Sequence, residues 1–497
     1  MGKLDILVLF VYIVGVTAFG ALFYRKSSTT EGFVAANRNL PGWAVGMSIF
    51  GTYLSSISFL ALPGKAFASN WNAFVFSLSL PIAAWVATRW FAPLYRSTRD
   101  ISAYAYLERR FGYWARAYAM TFYLLTQLAR MGTILFLVAL ALEGLTGWDI
   151  RVIIIIAGLL ITFYTLVGGI EAVIWTDVVQ AIVLTVGAIV CVVVLLAGVP
   201  DGLAGLLQAT GPGHKLSLGS MAMDLTAPTF WVVLLYGIVI NLQNFGIDQS
   251  YVQRYQTARS LDDARRSVWI GALTYVPVSA MFLFIGSALF VYYGTHPGLL
   301  PDSVAGDRVF PYFIVNQLPA GLTGLLIAAL SAAAMSSVDT SINSSATVLL
   351  TDIYKRWVRP DADDAAQMRF LRIATLLLGT AGTGTALLMI SIKSALDVWW
   401  NLAGIFSGGM LGLFLLGILS RRARSQQAVT GMVVGLAVII WATFSPGWGL
   451  SYGNNMHKFM TAVIGTLAIF LVGLMLSVRQ TSLPSSSPPN TVHDLRK

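Results

Sequence analysis

Apolar stretches long enough to cross a bilayer alternate with short polar loops along most of this chain. About thirteen such stretches can be read, near 5–24, 43–68, 73–95, 116–143, 151–169, 174–198, 229–255, 267–294, 321–352, 369–390, 396–418, 427–444 and 457–477. A segment isolated in hydrocarbon must satisfy its own backbone, so the pattern predicts an all-α polytopic membrane protein. The most telling stretch is Leu330–Thr351. Its flanks are strongly apolar, yet its middle carries Ser336, Ser337, Asp339, Thr340, Ser341, Asn343, Ser344 and Ser345. Hydrocarbon does not solvate such groups, and a carboxylate there is costlier still. A hard cation held by oxygen compensates them, and the segment reads as part of an ion path.

Two other stretches are interrupted. The second contains Gly51, TYLSSIS, Pro63 and Gly64, and the seventh contains NLQNFGIDQ at 241–249. Polar residues and glycines at that depth predict broken helices. The breaks lie five stretches apart, at the start of two five-helix blocks, about 43–198 and 229–418. An odd-numbered block places its copy in inverted orientation, the pattern of an inverted-repeat secondary transporter with its site at the paired breaks. Close helix packing accounts for much of the glycine and serine, but not for Asp248 or Asp339.

Arginine placement orients the chain. Arg96, Arg99, Arg109 and Arg110 follow the third stretch, Arg254, Arg259, Arg265 and Arg266 the seventh, Lys355, Arg356 and Arg359 the ninth, and Arg421, Arg422 and Arg424 the eleventh. The alternate loops are poor in Lys and Arg, so the N-terminus is expected outside and the C-terminus in the cytoplasm. Residues 1–478 read as one transmembrane domain and 479–497 as a Ser/Pro-rich disordered cytoplasmic tail. The N-terminal apolar run lacks a clear cleavage site and reads as a retained span.

Composition narrows the class. Hydrophobic residues make up 57% and charged residues 11% of the chain, too apolar for a soluble fold. The net charge of +10 is spread over short loops, which suits membrane topology rather than nucleic-acid binding. The four histidines lie in loops, near a span end or in the tail, and none pairs with a buried carboxylate at helical spacing, so an enzyme is not expected. Cys191 is single and receives no role.

Several segments resemble the sodium:solute symporter family, which includes the sodium/glucose transporters: GTYLSSISFLALPGKAF at 51–67, SAYAYLERRF at 102–111, GGIEAVIWTDVVQ at 168–180, DQSYVQRY at 248–255 and AAMSSVDTSINSS at 333–345. Within the family, the chain is most similar to the bacterial sodium/sialic acid symporters. The resemblance implies a leucine-transporter-type core of 5+5 inverted helices, with one helix before it and two after. It also implies Na⁺ as coupling ion and a small-molecule substrate; a monomer in the lipid bilayer is expected, and the short loops and small tail suggest a bacterial inner membrane.

By the same resemblance, a family-wide sodium site takes carbonyls of Gly51, Leu54 and Ala333 and hydroxyls of Ser336 and Ser337. The alternative is that both serines bond back to the preceding helical turn. A second sodium site found in some members is matched by Asp177, Ser336 and Thr340. Asp339 stands where the sialic acid transporters carry another serine, and it either strengthens that site or takes a proton. Asp177 can also be read as an interfacial residue.

The substrate region is implied by Arg130, which matches the arginine near the substrate carboxylate. It lies 14 residues beyond Arg116, about 21 Å at a rise of about 1.5 Å per residue. The competing reading is a packing arginine paired with backbone carbonyls. Ser55 and Ser58 match carboxylate contacts at the break. Tyr53 stands where the relatives have threonine, Ala73 replaces an aromatic and Ser77 a glutamine, so the pocket is reshaped. Gln127, Asn241, Gln243, Asn244, Trp399, Trp400 and Asn401 are further lining candidates. The expected function is sodium-coupled import, by alternating access, of a small solute such as a carboxylate-bearing sugar of the sialic acid kind. A neutral sugar or another small solute, and a transporter-like channel or sensor, remain the alternatives.

Overall fold

A computed structural model describes residues 2–98, 100–302, 304–391, 409–445 and 455–479. Among them the chain is helical, and its only β-type pairing is one isolated bridge, Leu40 to Ala258. In chain order the principal helices are α1 (Lys3–Ala21), α2 (Gly42–Tyr53), α3 (Ser56–Ala68), the composite span α4 (Trp71–Thr98), α5 (Tyr113–Thr146), α6 (Ile150–Gly198), α7 (Phe230–Ile247), α8 (Gln249–Thr257), α9 (Leu261–Thr295), α10 (Leu322–Val348), α11 (Asp364–Met389), α12 (Met410–Leu419), α13 (Ser425–Phe444) and α14 (Met460–Arg479).

Ten of the described helices are long and apolar enough to cross a membrane, and the bent pair α2–α3 makes an eleventh. The expected count of about thirteen is not reached among the described residues, for two reasons. The segment 396–418 lies mostly outside them, with only α12 visible. The segments 151–169 and 174–198 are counted once as α6, although Gly169 divides it into two helices whose Tyr164 and Asp177 both reach the Met335–Asp339 level of α10. Gly169 interrupts α6 with φ 56° and ψ −158°, and a side chain there would also meet the Phe33 carbonyl. Glycine is required on both grounds.

Both expected breaks are present. α2 ends at Leu54 (φ −79°, ψ 79°), and the chain resumes in α3 at an angle of 54°. The Ser55 hydroxyl caps the new helix by accepting the Ser58 N–H. In the seventh stretch Asp248 leaves helical geometry (φ −72°, ψ 122°) and caps α8 through the Ser250 N–H at 2.8 Å.

Packing divides the helices. α2, α3, α4, α7 and α9 lie against one another, as do α5, α6, α10 and α11. α10 belongs to the second group and also packs on α1, α2, α3 and α8. Its residues from Leu326 to Val348 are all buried, hydroxyls included, whereas Leu7, Phe10, Val14, Ile156, Leu159 and Phe163 of α1 and α6 point outward. Polar groups inside and apolar groups outside is the arrangement lipid imposes.

The polar helix α8 is wholly buried because its glutamines serve the neighbouring backbone. Gln249 accepts the Ala103 N–H and donates to the Ile101 carbonyl, Gln253 donates to the Val34 carbonyl, and Gln256 donates to the Asp100 carbonyl. Each bond satisfies a loop carbonyl or amide that burial would otherwise strand.

Candidate functional site

The α2–α3 break and the hydroxyl-rich middle of α10 meet. A Cβ built on Gly51 would lie 3.4 Å from both Ser336 Oγ and the Asp177 carbonyl oxygen. Leu54, Ala333, Ser336 and Ser337 are all buried. The two serines behave differently. Ser337 bonds back to the Ala333 carbonyl at 3.1 Å, whereas Ser336 donates across to Asp177 Oδ1 at 2.6 Å. Donating its proton leaves the Ser337 oxygen's lone pairs free, and a carbonyl has two. Ala333 and Ser337 therefore keep acceptor capacity for a cation.

Asp177 has no exposure and lies on the part of α6 that follows the Gly169 break. Its Oδ2 accepts from Ser48 at 2.5 Å and from Arg254 Nη2 at 2.8 Å. The same guanidinium donates to Thr340 Oγ1 and the Ser250 carbonyl at 2.7 Å each, and through Nε to Ser48 Oγ at 2.7 Å. Arg254 is thus no loop charge, as the sequence reading had it, but one half of a fully buried ion pair joining α2, α6, α8 and α10. Asp339, equally buried, accepts from Tyr164 OH and the Thr340 N–H, each at 2.5 Å. Sequence reasoning missed Arg254, Ser48 and Tyr164. The available signal was that Asp177, a carboxylate inside a span, needs a cation, and Arg254 falls within the expected 229–255 span.

On the substrate side, Arg130 Nη2 donates to the Thr52 carbonyl at the end of α2, at 3.3 Å. Gln127, one turn earlier on α5, donates to Asp248 Oδ2 at 3.4 Å. Arg130 therefore faces the first break and Gln127 the second. Ser58 donates to the Tyr53 carbonyl and meets Tyr275 OH, both at 3.4 Å. Tyr53 is packed among aromatic side chains at the same break. Its ring is enclosed by Phe245, Tyr251 and Tyr275, with centroids 5.2–5.4 Å away, and its hydroxyl donates to Asn241 Oδ1 at 3.2 Å. These aromatic contacts pack it against α7, α8 and α9 at the break. Asn241 continues that chain of bonds to Ser79 Oγ and the Phe76 carbonyl. Ser77 and Gln243 are buried on α4 and α7, and Gln243 Oε1 has no partner among the described residues. Trp399, Trp400 and Asn401 lie outside the described residues.

Comparison with known proteins agrees with this geometry. The profile of the sodium:solute symporter family matches residues 33–435. The sodium/sialic acid symporter NanT of Aliivibrio fischeri is 33% identical over 481 residues, covering 95% of this chain and 93% of the relative. SiaT of Proteus mirabilis, also a sodium/sialic acid symporter, is 33% identical over 494 residues, 98% of each chain. The sodium/glucose cotransporter of Vibrio parahaemolyticus is 26% identical over 512 residues, 98% of this chain and 92% of that one. A solved structure of a Na⁺-coupled sialic acid symporter, substrate-bound and outward-open, superposes with a TM-score of 0.90 at 31% identity, covering 96% of this chain and 98% of that chain. Mhp1, a nucleobase-cation-symport-1 family transporter, shares the fold at a TM-score of 0.59 and 18% identity, over 91% of this chain and 96% of its own. The fold is the leucine-transporter type, as the family resemblance implied. Na⁺ is the coupling ion, a small molecule is the substrate, and transport rather than catalysis is the activity. The chain is a multi-pass membrane protein that belongs to the sodium:solute symporter family.

Proposed function

We propose that this symporter imports a carboxylate-bearing sugar of the sialic acid kind, working as a monomer in a bacterial inner membrane with its N-terminus outside. The observation that carries the reading is the convergence on one break: Ser336 approaches Gly51 from α10, and Arg130 reaches the Thr52 carbonyl from α5. One Na⁺ binds Gly51, Leu54, Ala333, Ser336 and Ser337 and draws α2 and α3 against α10. Arg130 then attracts the solute carboxylate beside the ordered break, with Ser55 and Ser58 at the start of α3 and its favourable dipole. Inside, low sodium and the membrane potential, about 2.3 kcal/mol per charge per 100 mV, favour release.

A second Na⁺ fits the charge count. Asp177 and Asp339 carry two formal negative charges against one positive charge on Arg254, all three buried. One cation near Asp339, Thr340 and Ser336 restores neutrality, which a low-dielectric site demands.

Uptake into proteoliposomes tests the first site. Ser337→Ala is expected to raise the sodium concentration for half-maximal uptake about tenfold, equivalent to about 1.4 kcal/mol, with expression little changed. Unchanged sodium activation in that variant removes Ser337 from the site.

A further inference from the structure

Asp248 breaks the seventh stretch, and only one of its two oxygens is occupied by that task. Oδ1 caps α8 through the Ser250 N–H at 2.8 Å. The hydrogen-bond contact of Oδ2 among the described residues is Gln127 Nε2 at 3.4 Å, long beside the usual 2.9–3.0 Å. An ionised carboxylate has about four acceptor positions and no donor, so the amide nitrogen of Gln127 must be the atom facing it. That fixes the other end of the amide. Gln127 is 1% exposed, and its Oε1 has no partner among the described residues. An unfilled carboxylate oxygen and an unfilled buried amide oxygen thus stand together.

Arg130 lies three residues further along α5. It is held by the Thr52 carbonyl and closes no ion pair with Asp248. Next to the break are therefore one group that recognises an anion and two that recognise O–H or N–H donors. A bare monocarboxylate satisfies Arg130 and leaves both acceptors unpaired. A neutral sugar does the reverse. A site that buries unfilled acceptors rejects ligands lacking the matching donors far more strongly than one that lacks only a methylene contact.

Resting on the carboxylate reading of Arg130 above, we infer that Asp248 is a specificity-determining residue of the solute site. With Gln127 it accepts from a hydroxyl or N–H group of the solute while Arg130 binds the carboxylate. The substrate class is thereby a carboxylic acid that also carries hydroxyl or N–H donors.

Isothermal titration of the purified full-length protein in NaCl, with N-acetylneuraminate and with propionate as probes, tests this. The wild type is expected to prefer N-acetylneuraminate by about a hundredfold or more. Asp248→Asn keeps an N-cap for α8 and removes the charge; Asp248→Ser keeps a cap and removes the carboxylate. Each is expected to weaken N-acetylneuraminate binding about tenfold or more while leaving propionate little affected, so the preference collapses. Arg130→Ala is expected to weaken both acids. Unchanged N-acetylneuraminate affinity in both Asp248 variants overturns the role of Asp248, as does a wild type that binds the two acids equally; neither result touches the carboxylate reading. A wild type that binds neither acid overturns that reading and this inference together.

Discussion

At the residue scale, the centre of the molecule is governed by which buried charge has a partner. Arg254 and Asp177 are each without exposure, and their pair also bonds Ser48, Thr340 and Ser336. Removing one member of a buried pair strands the other, at about 3–5 kcal/mol, whereas removing both is often tolerated. Arg254→Met is therefore expected to lower the melting temperature of the purified protein markedly, and adding Asp177→Asn to restore most of it. A double variant no more stable than Arg254→Met would show that the pair does not hold these helices. Sodium dependence measured on the double variant separates stability from coupling, because Ser336 then faces an amide instead of a carboxylate. Legibility varied sharply at this scale. Ser336 and Arg130 stood out because a polar group within a span has few innocent explanations, whereas Gly51 and Asp177 were named through the family resemblance. The packing of Tyr53 and the burial of Arg254 could not be read from the sequence. The direction of a tyrosine ring depends on partners in α7, α8 and α9, and an arginine near a span end reads the same whether it snorkels outward or turns in.

At the element scale, helix ends are tied by charge where the breaks do not tie them. Glu108, on the short helix Ala105–Phe111, bonds Arg116 at 2.6 Å and Arg356 at 2.7 Å, and Arg116 also bonds Asp352 at 2.5 Å. This network fastens the start of α5 to the continuation of α10 beyond Val348. Burial works against the charge on Glu108, but the hydrogen bonds and charges of Arg116 and Arg356 outweigh it and hold the carboxyl below its ordinary range. A carboxyl depressed in the folded state contributes stability above its unfolded value, about 4.5, and loses that contribution as pH falls through the folded value. The melting temperature is accordingly expected to drop as pH falls below about 4.5, and less steeply in Glu108→Gln, which starts lower at neutral pH. An identical acid slope in the variant would remove Glu108 from the network's account. The two broken helices were legible from glycine and polar interruptions alone. The division of α6 was legible as well, since GG at 168–169 reads as a turn between spans and Gly169 leaves helical geometry there at positive φ.

At the scale of the whole molecule, orientation decides which face of the site meets each compartment, and it was read from the basic residues of the loops. The burial of Arg254 takes one charge out of that count. Arg259, Arg265 and Arg266 remain after the seventh stretch, so the alternation of basic and neutral loops survives. The chain offers a clean way to check it, because Cys191 is its only cysteine and has no exposure. The wild type is expected to resist a membrane-impermeant maleimide, so a single introduced thiol reports its own side. Met223 is 79% exposed in the loop before α7, and Asp361 is exposed in the turn after the ninth stretch. Replacing these two leaves every basic residue that orients the chain in place. Met223→Cys is expected to label in intact cells, and Asp361→Cys only after the membrane is opened. The inverse labelling would turn the molecule over. The sodium gradient and the negative interior potential would still drive import, because they set the direction of symport, but the face of the site that meets each compartment would be exchanged, although every distance within the protein stayed the same.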